Sequence, residues 1–94
     1  MDIFEQIVKN IIKEQERIIG PLAWDEARKV QGIKIVSQFT GEIAIDNGDE
    51  RDVVNSLVSR YERLFGRASH EVCKQAVAQL ILTMPRSSIP SSLI

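Results

Sequence analysis

The hydrophobic period of this chain changes twice, and that change constrains its fold more than any other feature. Apolar residues recur at three- and four-residue intervals near residues 3–19, 22–30, 50–65 and 69–84, but alternate singly from Ile33 to Ile45. The first spacing lines one side of a helix and the second lines one face of a strand. The pattern therefore predicts an α+β, predominantly helical fold of four helices, with one two-stranded antiparallel hairpin between the second and third helices.

In the first helical segment, Phe4, Ile7, Val8, Ile11, Ile12, Ile18 and Ile19 form the apolar side, opposite Glu5, Lys9, Lys13, Glu16 and Arg17. Gln15 falls near the centre of that side, where a buried amide must find hydrogen-bond partners. It reads as a satisfied core amide, or as a device fixing the register of a partner chain. Gly20-Pro21 closes this helix and opens the next, whose stripe is Leu22, Ala23, Glu26, Ala27 and Val30. Trp24 lies off that stripe and reads as covering the edge of the core, with an exposed interface anchor as the alternative.

A hairpin from Ile33 to Ile45, turning at Thr40-Gly41, is marginal by itself. Its Ile33/Ile35 and Ile43/Ile45 faces must lie on helices or join strands of a second chain, which gives a route to a homodimer. Asp46-Asn47-Gly48-Asp49 supplies a turn and an N-cap for the third helix. A calcium loop is the sharper reading of that run, but Gly48 stands at the third ligand position and Leu57 at the twelfth, so no metal is expected.

The third helix carries Val53, Val54, Leu57, Val58, Tyr61, Leu64 and Phe65 and ends at Gly66. Ser69 is placed to cap the fourth, with Val72, Cys73, Ala76, Val77, Leu80, Ile81 and Met84 on its apolar side before Pro85. Residues 85–94 contain two prolines and four serines with little helical pattern. They read as a flexible tail beyond a single compact domain at 1–84.

Composition narrows the function classes. Ninety-four residues with 44% apolar and 27% charged side chains fit one globular domain. Thirteen acidic and twelve basic residues give a net charge of −1, which disfavours nucleic acid as the main partner. One cysteine, no signal-peptide pattern and no apolar run near the ~20 residues that cross a bilayer point to a cytoplasmic protein without a membrane span.

No catalytic set is legible. Cys73 sits on an apolar helix side, where a thiol is inert packing, and His70 reads as exposed in the first turn of its helix. Gly32, Gly41 and Gly48 are isolated turn glycines rather than a phosphate-binding loop. Neither a reaction nor a cofactor is expected. The alternative reading uses residues 60–75 as a helix-turn-helix-like DNA-binding regulator, contacting phosphates through Arg60, Arg63, Arg67 and Lys74.

The run Glu14-Gln15-Glu16-Arg17-Ile18-Ile19-Gly20-Pro21-Leu22-Ala23, with the later Leu57-Val58 and Leu64-Phe65-Gly66, resembles uncharacterised small domains attached to bacterial signalling proteins. The resemblance covers about residues 10–80 and centres on an Ile-Gly-Pro-hydrophobic-Ala motif. It implies a noncatalytic accessory or output domain and transfers no catalytic residue. The Ile33–Ile45 hairpin departs from those largely helical domains. Taken together, the residues predict a small noncatalytic protein-interaction or assembly module, homodimeric through an apolar surface, with Phe4, Gln15, Trp24 and Phe39 as candidate anchors.

Overall fold

The computed structural model describes residues 2–94. Its α+β architecture matches the periodicity, but five α-helices appear among the described residues instead of four. In chain order these are α1 Ile3–Ile19, α2 Leu22–Ala27, β1 Ile33–Ser37, β2 Glu42–Ile45, α3 Glu50–Phe65, α4 Arg67–Ala76 and α5 Ala78–Ile81. Two single 3₁₀ turns, Arg86–Ser88 and Ser91–Leu93, follow. None of these helices is long and apolar enough to cross a membrane.

The first helix, α1, is the hub: it packs on α2, β2, α3 and α4. Ile7, Val8, Ile11 and Ile12 on its inner side are fully buried, meeting Val54, Leu57 and Tyr61 of α3 in one core. Asp2 starts this helix by accepting the Phe4 and Glu5 N–H groups on Oδ1 at 2.7 and 3.1 Å. Asp49 does the same for α3, accepting from Arg51 and Asp52 at 2.9 and 3.3 Å. The turn read at Asp46–Asp49 is thus a helix start.

Ile33 pairs with Ile45 and Ile35 with Ile43, antiparallel, and the register slips at Val36 before Ser37 meets Glu42. Val36 is the extra residue of a bulge. Ile33 and Ile43 are buried and Ile35 and Ile45 half-buried, so the hairpin covers its apolar face within one chain, against α1. Gly32 makes the approach possible: its φ is +97°, and a Cβ there would lie 2.5 Å from the Asn47 carbonyl oxygen and 2.8 Å from a Val53 methyl.

Four local expectations are corrected. The second helix stops at Ala27 and turns more of its circumference inward than the stripe implied, because it is lodged against both α1 and α3. Trp24 is consequently fully buried while Leu22 is exposed. Ser69 does not cap α4; Gly66, at φ +93°, ends α3 and redirects the chain so that α4 begins at Arg67 and Ser69 is carried inside.

The helix expected over 69–84 breaks at Val77 (φ −119°, ψ 7°). β-Branched Val77 is fully buried at the break, and the change of direction lets Leu80, Ile81 and Met84 pack on the core. Finally, residues 85–94 are docked. The Ser91–Leu93 turn packs on α3, burying Leu93 and Pro90. Asn55 Oδ1 accepts the Ser92 N–H at 3.0 Å and the Ser92 hydroxyl at 2.6 Å, and Arg51 Nη1 donates to the Ser87 carbonyl at 3.0 Å.

Candidate functional site

The four anticipated anchors separate sharply. Trp24 and Gln15 are fully buried within one chain, so neither offers surface to a partner, and Gln15 acts as an internal clamp instead of a register device. Its Nε2 donates to the Ser69 carbonyl at 2.9 Å and to Cys73 Sγ at 3.4 Å, tying α1 to α4. Phe4 is half-buried against the core. Phe39, at 99% exposure, is the one of the four that faces fully outward.

Phe39 stands at the hairpin tip, and polar contacts fix the turn that carries it. The Thr40 N–H donates to Ser37 Oγ at 3.3 Å, and the Glu42 N–H donates to Thr40 Oγ1 at 3.4 Å. Arg28, the residue just after α2, donates from Nη2 to Gln38 Oε1 at 2.6 Å and braces the tip. Beneath it, Gly41 (φ +77°) is buried on the Lys9 and Lys13 stems; a Cβ there would lie 2.6 Å from Lys13 Cε. Lys9 and Lys13 form no ion pair among the described residues. An aromatic ring fully in water, on a braced turn whose Gly41 rests on two lysine stems, is suited to entering an apolar pocket rimmed by carboxylates.

The cations of the alternative reading do not line one groove, and exposed Arg67, the first residue of α4, lines neither of the two that hold the others. Arg60 and Arg63 line a groove of about 520 Å³ with Lys29 from the end of α2. Lys74 lines a different, more apolar groove with Ile81 and Leu93. Two of the first groove's cations are held from α2: Glu26 accepts from Arg60 Nε at 2.8 Å and from Lys29 Nζ at 3.3 Å. The Arg60 guanidinium, reinforced by Lys29, holds the Glu26 carboxyl below the usual carboxylate range.

Cys73 and His70 share α4 but not a site. Burial pushes the Cys73 thiol up to about 11, against which the Gln15 hydrogen bond works only partly. His70 instead reaches Glu62 through Nδ1 at 3.3 Å and the Ser92 carbonyl through Nε2. A carbonyl only accepts, so Nε2 carries a proton in this contact. No three His, Cys, Asp or Glu side chains converge as metal ligands among the described residues.

The sequence marks Phe39 as an anchor and Lys9 and Lys13 as the polar side of α1, but not that those lysines lie under the hairpin turn. The signal was there in part: Lys9 and Lys13 lie four apart on α1, and Gly41 is the turn glycine that lets the tip rest on them. Neither a family model, nor a curated protein, nor a solved structure matches this chain.

Proposed function

We propose that the protein is a noncatalytic interaction module that engages a protein partner through its hairpin tip. The observation that carries this reading is Phe39, 99% exposed on a hydrogen-bonded turn whose geometry is already fixed before any partner arrives. Burying a phenyl ring removes on the order of 150 Å² or more from water, and a preorganised turn loses little entropy on docking. Lys9 and Lys13 add charge that favours an acidic rim. A signalling-associated role in a bacterial cell is the setting suggested by the Ile-Gly-Pro motif at residues 19–21.

The tip is a better contact than the hairpin edge. Strand addition along β1 would meet exposed Lys34 and the bulge at Val36, two features that discourage edge pairing. A homodimer, in this reading, forms by tip docking and not by sheet extension.

The test is affinity capture from the source cells with the native chain, Phe39→Ala and Lys9→Gln/Lys13→Gln. The reading predicts a protein retained by the native chain, lost with Phe39→Ala, and held more weakly and with less salt dependence by the lysine variant. Equal recovery by the native chain and Phe39→Ala contradicts it.

A further inference from the structure

The groove between the end of α2 and the outer side of α3 has chemistry that docking at the hairpin tip does not use. Arg60 is largely covered, its side chain 23% exposed, and only its Nε is engaged, by Glu26. That ion pair holds the guanidinium plane in place while both terminal nitrogens stay without a partner among the described residues. Arg63, one turn further along α3 on the same wall, has none either, and Lys29 closes the opposite side. Ser56 and Ser59 lie four residues before Arg60 and Arg63, so each hydroxyl neighbours a guanidinium on the helix surface.

We propose that this groove binds a small polyhydroxylated phosphate ester of the sugar-phosphate class. A planar guanidinium with free terminal N–H groups matches phosphate oxygens in a bidentate fashion, and a second arginine and a lysine complete the charge. The Ser56 and Ser59 hydroxyls and the Gln31 amide, none of them partnered among the described residues, suit a hydroxyl-bearing body; Asp52 at the far end accepts from hydroxyls. The open groove's volume of about 520 Å³ has room for more than a bare phosphate. Val30 is the one apolar lining residue, which argues against a flat aromatic or greasy ligand. Glu26 and Asp52 offset part of the charge, so the groove selects one phosphate group and not a polyanion.

The experiment is amide NMR titration of the full chain at low ionic strength with glucose 6-phosphate, inorganic phosphate and glucose. The expected result is saturable shifts at residues 29–31 and 52–63, tightest for the sugar phosphate, weaker for phosphate and absent for glucose. Arg63→Gln, at an exposed position that leaves the fold intact, weakens the sugar phosphate by about tenfold. Lys13→Gln, on α1 beneath the hairpin turn, leaves it unchanged and separates this site from the docking surface. Equal binding of phosphate and sugar phosphate reduces the groove to an adventitious ion site and overturns the proposal. So does the lack of saturable shifts at millimolar ligand, or binding insensitive to Arg63→Gln.

Discussion

Gln15 on α1 donates its side-chain amide to the carbonyl of Ser69 on α4 at 2.9 Å, fully out of water. This single side chain joins segments 54 residues apart and touches the Cys73 sulfur as well. Its Oε1, however, has no partner among the described residues. Gln15→Ala removes the clamp and leaves a cavity, and is expected to cost about 2–4 kcal/mol by urea denaturation. Gln15→Met fills the space and removes the unpartnered oxygen, so its cost stays within about 1.5 kcal/mol. Equal losses for the two variants would show that volume, not hydrogen bonding, is irrelevant at this position.

Gly32 and Gly66 separate crowding from backbone strain. Both have positive φ, +97° and +93°, but a Cβ at Gly66 meets open space while one at Gly32 runs into Asn47 and Val53. Gly66→Ala is expected to cost about 1–3 kcal/mol, from strain alone. Gly32→Ala must displace the β2–α3 connection too and falls more, with altered amide shifts at Asn47 and Val53 as the check.

How far the sequence reaches is clear from where partners lie along it. Local signals located α1, α3 and the hairpin: alternating isoleucines, Asp49 before Glu50, and glycines at 20, 41 and 66 all act within a few residues. What escaped depends on distant partners. Gln15 finds Ser69, Asn55 finds Ser92 at a separation of 37 residues, and Glu26 finds Arg60 at 34. Composition alone marks residues 85–94 as mobile, since nothing local shows that Asn55 waits on α3.

The candidate sites follow the same rule. Phe39 and Trp24 looked alike as lone aromatics, yet one is fully exposed and the other fully buried, because burial is decided by which helices surround α2. Arg60 and Arg63 were grouped with Arg67 and Lys74 by sequence proximity. Folding instead joins the first two to Lys29 and sends Lys74 to another groove.

The docked tail yields its own prediction. Its backbone hydrogen bonds outside these side-chain contacts are local, as from the Leu93 N–H to the Pro90 carbonyl at 3.0 Å. Asn55→Ala therefore removes its principal polar anchor, costing about 1–2 kcal/mol. Hydrogen exchange at Ser92 and Leu93 should accelerate selectively, while amides of α1 keep their protection.

Cys73 should make stability fall in alkali. Folding raises its thiol from an ordinary 9.0 to about 11, so the folded state retains the proton longer than the unfolded one. The contribution is complete below pH 9 and is lost as pH rises from about 9 through about 11, by roughly 3 kcal/mol at most. Buried Tyr61, whose hydroxyl donates to the Ala23 carbonyl at 2.7 Å, is also raised by desolvation and steepens the fall at still higher pH. Cys73→Ala should flatten the slope between pH 9 and 11, and native Cys73 should resist alkylation at pH 7 until the protein unfolds.

The most direct measurement of the central claim is site-specific photo-crosslinking in the source cells, with a benzophenone side chain at position 39 and, as a control, at exposed Gln79. A discrete protein adduct from position 39 that position 79 does not give is the predicted result. A mass of two chains assigns it to a second copy, and any other mass to a different partner. Indistinguishable adduct patterns at the two positions would contradict the assignment of Phe39 as the docking residue.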